Sequence, residues 1–169
     1  MTKIYGAIFV SVFAAILMTG CSGYSSRSLY SQDVKSIYVE MFDNATFRRD
    51  LEYDLTDAIA KRIEAETPYK IISDRSKADT VLSGKITAIN NSVLTIERNV
   101  SRPLEEQAEV TAVFSWKDLR TGQYIVAGKS IMATASYSEF QSQGFEYGSK
   151  VAANKLAERI VEQMQVEWD

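Results

Sequence analysis

The sequence predicts an α+β fold, a two-layer sandwich of two α-helices packed on one face of a four-stranded mixed β-sheet, in the order β-α-β-β-β-α. Three observations predict it. Leu51, Leu55, Ala58, Ile59 and Ile63 recur at spacings of three and four, as do Val151, Ala152, Leu156, Ile160 and Met164, so each stretch carries one apolar stripe. Val110, Ala112, Phe114 and Trp116 alternate with Glu109, Thr111 and Ser115, the period of a half-buried strand. A strand-helix-strand opening requires a right-handed parallel crossover, whereas the later strands are joined by short turns and read as hairpins.

Taken in order, "VKSIYVEMF" (34–42) is rich in β-branched and aromatic residues with apolar positions on both faces, a strand covered on at least one side. "DNAT" follows as a turn whose Asn44 or Thr46 caps the first helix. That helix ends at Thr67-Pro68. "YKIIS" is a short strand or a strand-like connector, and "TVLSGKITAI" (80–89) is a strand that "SVLTIER" extends past a bulge near Asn90-Asn91. After a loop at 99–103 comes the alternating strand, then a tight "RTG" turn into "QYIVAGKSIMATASY". The second helix occupies about 144–166. Asp118 and Gly122 are turn formers at the last hairpin. Asp79 and Gly84 mark a strand start and a close approach. Two helices cover one sheet face, so the Ile, Tyr and Val residues of the other are a candidate partner surface.

The N-terminus stands apart. Lys3 is the only charge in the first twenty residues, Ile4–Met18 is almost entirely apolar, and Thr19-Gly20 leads into Cys21, the only cysteine. The apolar run has the length of a secretory leader and is short for a bilayer span. Small-small-Cys after such a leader resembles a bacterial lipobox, with Met18 where Leu is usual. This makes Cys21 the expected lipid attachment point, where each buried CH₂ of the acyl chains contributes about 0.8 kcal/mol of membrane affinity. Ser22 rather than Asp follows, which by bacterial sorting rules directs the protein to the outer membrane. The expected organisation is a leader over 1–20, a lipidated Ser-rich tether over 21–32 and a single domain over 33–169.

Composition narrows the function. Without the leader, 149 residues carry 22 acidic and 18 basic side chains, a balance of −4. That argues against nucleic acid as a partner. The chain has no histidine and its glycines are scattered, so Ser/His/Asp and Cys/His catalytic sets and a phosphate-cradling loop are excluded. Asp54/Asp57 and Glu105/Glu106 read as solvated surface, and Trp116 reads as core or interface packing. No metal site, cofactor or enzyme activity is expected; a binding or structural role is.

Several segments in order resemble the LptE family of lipopolysaccharide-assembly lipoproteins. They are the lipidated "CSGYSS", then "VKSIYVEMFDNATFRRDLEYDLTDAI", "KADTVLSGKI" and "WKDLRTG". The resemblance implies the same two-helix, four-stranded fold. It also implies a lipid-anchored protein on the periplasmic side of the outer membrane, which plugs and helps assemble an LptD-like β-barrel translocon and binds lipopolysaccharide. Lipopolysaccharide carries phosphates, which the planar fork of Arg can bind through two hydrogen bonds. Arg98 and Arg102 flank one turn and Lys117 and Arg120 the next, and these four are the candidate glycolipid contacts. Successive turns of a meander alternate ends, so the four cooperate only if the bend near Asn90 changes the geometry.

The alternative is a lipoprotein activator of a periplasmic peptidoglycan synthase, which shares the opening strand, turn and helix. Such activators carry long Pro-rich tethers, whereas about a dozen residues separate Cys21 from the first strand here, a reach of roughly 35 Å or less. A curli-type secretion subunit would need lipid-facing alternation in 80–137, which the sequence lacks.

Overall fold

The computed structural model describes residues 29–97 and 102–165. The leader, Cys21 and Arg98 lie outside them. In chain order the elements are β1 (Ser36–Val39), β2 (Asp43–Asn44), α1 (Leu51–Glu66), β3 (Lys70–Ile71), β4 (Thr80–Glu97), β5 (Arg102–Asp118), β6 (Tyr124–Tyr137) and α2 (Phe145–Glu162).

The α+β architecture is as expected, but the sheet has six strands rather than four, in the order β3-β1-β4-β5-β6 with β2 also on β4. The four predicted strands are β1, β4, β5 and β6. The additional two strands are only two residues long, too short to carry a hydrophobic period of their own. β3 is the "YKIIS" connector, whose Lys70 and Ile72 amides donate to the Lys35 and Ile37 carbonyls. β2 lies in the turn after β1, and the chain between them bends so that the Phe42 ring enters the core. β1 runs parallel to β3 and β4, and β4, β5 and β6 form an antiparallel meander.

α1 and α2 lie side by side and run in the same direction, because Asp54 faces Lys150 at 3.8 Å and Glu158 faces Arg62 at 3.5 Å. Leu55, Ile59 and Ile63 of α1 and Leu156 and Ile160 of α2 are fully buried against Leu82, Ile86, Val110, Ala112, Phe114 and Trp116. Alanines on both layers, Ala152 and Ala157 on the helix and Ala108, Ala133 and Ala135 on the sheet, keep α2 close to the strands. Gly148 belongs to the same close approach, since a Cβ there would lie 2.4 Å from the Tyr137 ring.

Neither Asn44 nor Thr46 caps α1. The N-cap is Asp50, whose φ is +77°. Asn44 instead accepts the Thr46 amide and hydroxyl and donates to Glu52 at 2.7 Å, fastening the turn to the helix's first turn. That bond holds the Glu52 carboxyl below its ordinary range. Thr67 ends α1 as expected, its amide and hydroxyl both donating to the Ile63 carbonyl.

Residues 80–97 form one continuous strand. Its irregularities fall at Thr87 and around Leu94–Ile96 rather than at Asn90-Asn91. Eighteen extended residues span about 60 Å, whereas a sixteen-residue helix spans about 24 Å. The β4–β5 hairpin therefore projects well past the helical layer, and Val93, Leu94 and Ile96 on that projection are exposed.

Candidate functional site

Two ends, one open face and the long β6 edge remain outside the core. At the base, where β4 starts and β5 ends, two carboxylates tie the chain together. Asp79 Oδ2 accepts the Lys35 and Ser36 amides and the Ser36 hydroxyl, fixing the start of β1 against β4. Those bonds, the Lys35 amide foremost, hold its carboxyl below the ordinary range. Asp118 accepts the amides of Arg120 and Thr121 and pairs with the Arg120 guanidinium at 2.9 Å. Arg120 lowers the Asp118 carboxyl to about 2. The same guanidinium donates to the Asp33 carbonyl, so the turn grips the N-terminal segment. Gly122, with φ +74°, closes that turn by donating to the Asp118 carbonyl. The roles expected of Asp79, Asp118 and Gly122 are those the structure shows.

Of the four candidate glycolipid contacts, Lys117 and Arg120 lie at this base. Lys117 stands 5.3 Å from the Tyr124 ring. Arg102 lies at the opposite end, paired with Glu97 at 3.0 Å and stacked 4.1 Å over Phe140. Fifteen residue steps of extended strand run from Arg102 to Lys117, about 50 Å. The bends in β4 do not bring the two turns together, so the described members form no single cluster. Cys21 and Arg98 are outside the described residues.

The open sheet face departs from expectation in its chemistry. Along β4, β5 and β6 it is formed mainly by Ser83, Thr111, Ser115, Ser130, Thr134 and Ser136 together with Lys85, Gln107 and Glu109, as the register to the buried face requires. Val81, Ala88, Val113, Tyr124 and Met132 are its apolar or aromatic members. Short hydroxyl side chains predominate on this face.

β6 is an edge strand of fourteen residues, and such an edge is a template for unwanted pairing. Two α2 side chains reach over it. Lys155 Nζ donates to the Thr134 carbonyl at 3.3 Å, and Arg159 donates to the Met132 carbonyl. Sequence reading did not single out either residue, because their i, i+4 spacing on the helix flank does not reveal which strand lies beneath. Replacing both by Ala is expected to increase self-association, read by light scattering across a concentration series. An unchanged mass would remove the guarding role.

A family model described as LptE, lipopolysaccharide-assembly, matches residues 34–165. The chain belongs to the LptE family. The match spans both helices and every strand. No curated protein sequence matches the chain. Solved structures share its fold. An uncharacterized lipoprotein B from Nitrosomonas europaea aligns with a TM-score of 0.57 at 13% identity, over 85% of this chain and 90% of that one. PelC from Paraburkholderia phytofirmans, solved as a dodecamer, aligns with a TM-score of 0.55 at 16% identity, over 83% and 96%. The rare lipoprotein B from Shewanella oneidensis gives 0.52 at 15% identity, over 77% and 93%. As an LptE-family chain this protein has a role in lipopolysaccharide assembly. Among the described residues no helix is long and apolar enough to cross a membrane, and no group of three or more His, Cys, Asp or Glu is placed to hold a metal ion.

Proposed function

We propose that this chain is the lipoprotein subunit of the outer-membrane lipopolysaccharide translocon. Acylated Cys21 anchors it to the periplasmic leaflet of the outer membrane. Its domain seats as a plug in the lumen of a large LptD-like β-barrel and assists that barrel's assembly, and it binds lipopolysaccharide in transit. The role is binding and assembly, not catalysis.

The family match over 34–165 is the observation that carries this reading. The hydroxyl-rich open sheet face supports it, because the interior wall of a large barrel is polar and hydrated. The basic residues then act as two pairs rather than one cluster. Arg98 and Arg102, the latter held at the far end of the hairpin by Glu97, are the pair assigned to lipopolysaccharide phosphates. At the base Arg120 is engaged by Asp118, which leaves Lys117 as the weaker second contact.

The test is affinity purification of the intact lipoprotein after membrane extraction, with mass spectrometry of the bound proteins. A large outer-membrane barrel at near-equal amounts is expected. Recovery of a peptidoglycan synthase without any barrel would overturn the reading in favour of an activator. Cys21→Ala is expected to move the protein from the membrane to the soluble fraction, and an unchanged distribution would refute acyl anchoring.

A further inference from the structure

β6 ends at Tyr137, beside the first turn of α2. The ring lies on the helix side of the sheet, 3% exposed, against Gly148 and edge-on to the Phe145 ring at 6.2 Å. The Arg48 guanidinium covers Phe145 in turn at 4.0 Å, so the segment leading into α1 closes the same stack. From this seat the Tyr137 hydroxyl donates to Asn91 Oδ1 at 2.9 Å, and Asn91 Nδ2 donates to Glu106 at 3.0 Å. Tyr137 pairs with Glu106 of β5, and Asn91 of β4 pairs with Ala108 of β5. The side chain therefore crosses β5 to reach β4, a span of two strand spacings, about 10 Å. Ala108, fully buried, is small enough to let it pass. Among the described residues this is the one side-chain hydrogen bond that joins β6 to β4.

The place of this bond gives it a role. Up to Tyr137 the meander is three strands wide. Beyond it the sheet narrows to β4 and β5 alone, running on to Glu97 and Arg102. Two-stranded ribbons twist most strongly and are marginally stable by themselves. The pairing of β4 with β5 does not determine how such a ribbon stands on the rest of the molecule. Other fastenings reach only the nearer strand: the Ser138 hydroxyl donates to the Leu104 carbonyl at 2.8 Å, and the Phe140 ring lies under Arg102. Both sit on the connection between β6 and α2, which is largely exposed, whereas Tyr137 is seated in the core. We infer that Tyr137 is a positioning residue that sets the orientation of the projecting hairpin against the helical layer. Its ring is held by α2, and its hydroxyl holds β4 through Asn91. Arg102 rides on the part so positioned; only that consequence for glycolipid contact rests on the translocon reading.

Cys21 is the only cysteine, so Cys21→Ala opens the full chain to site-directed spin labelling. Labels at Thr95→Cys on the ribbon and Asn154→Cys on α2, both exposed positions, report how the hairpin stands on the helical layer. A reference pair, Lys61→Cys on α1 with Asn154→Cys, lies wholly within that layer. Pulsed electron paramagnetic resonance should give a narrow distance distribution for both pairs. Tyr137→Phe keeps the ring and removes only the hydroxyl. It is expected to broaden the hairpin distribution about twofold, with Asn91→Ala broadening it equally and the double variant no further. The reference distribution should stay as it is in all three. An unchanged hairpin distribution in Tyr137→Phe would overturn the inference. So would broadening of both pairs together, which is a general loss of packing, or broadening by Tyr137→Phe without any by Asn91→Ala. Neither a barrel nor lipopolysaccharide enters the measurement, so a failure here leaves the translocon reading standing.

Discussion

Gly84→Ala is expected to destabilise the fold by about 1–3 kcal/mol, although Ala is the better strand residue of the two. The cause is a ring rather than the backbone. An added Cβ at Gly84 would lie 2.3 Å from Phe42 Cε1 and 2.7 Å from Cζ. Phe42 is 1% exposed and its amide is held by the Thr56 hydroxyl at 3.0 Å, so the ring has no route out of the core. Thr56 in turn donates to the Glu52 carbonyl, which ties the ring's position to α1. Phe42→Ala alone should cost about 3–5 kcal/mol through the cavity it leaves. The two changes are strongly coupled. Once the ring is gone, Gly84→Ala meets empty space, and the double variant should be no less stable than Phe42→Ala. Denaturant titration of the four proteins gives the coupling directly, expected at about 1–3 kcal/mol. Additive losses would mean that Gly84 is required for some reason other than Phe42.

Sequence legibility followed the length of each pattern. Both helical stripes run for four turns or more, and Leu55, Ile59, Leu156 and Ile160 are buried where the periodicity puts them. The Ala112–Phe114–Trp116 face was equally plain, because alternation over many residues fixes which side is inside. Asp118 and Gly122 declared a turn through local chemistry alone. What was hidden depends on partners distant in sequence. Two-residue strands have no period. The bulge at Thr87 shows only as a shift in pairing with β5. The length of the β4–β5 projection follows from how little of the sheet the helices cover. The polarity of the open face was in principle readable, since Ser83, Thr111, Ser115, Thr134 and Ser136 occupy alternate positions. The separation of Arg102 from Lys117 follows from the meander's alternating turns. The groove at the base needs the segment before β1, β5, β6 and the end of α2 at once, and no single segment announces it.

Asp118→Asn is expected to cost about 1–2 kcal/mol at neutral pH, and that cost should disappear in acid. Arg120 holds the Asp118 carboxyl down from 3.8 to about 2 in the folded protein. A depressed carboxyl contributes stability that is complete above its unfolded value near 4 and is lost as pH falls through 2. The half-exposed Arg120 is partly screened by water, which keeps the contribution below the full value of the shift. Asp79, lowered chiefly by the Lys35 amide, adds a second loss in the same direction. Both carboxylates lie at the base, where they join β1 to β4, and β5 through Arg120 to the N-terminal segment. The base should therefore open first in acid. Amide exchange at Ser36 and Thr121 should quicken below about pH 4, while the Leu156 region stays protected. A comparison with Asp57→Asn separates this device from ordinary surface charge. Asp57 pairs with Lys61 at 2.7 Å, but both side chains are more than 60% exposed, so its loss should leave stability nearly unchanged at every pH. Melting temperatures of the three proteins from pH 7 to pH 2 provide the measurement. If wild type and Asp118→Asn differ by the same amount throughout, the contribution is independent of pH and does not come from the ionised carboxylate. Convergence below pH 3 means instead that the ionised carboxylate and its Arg120 partner hold the base closed.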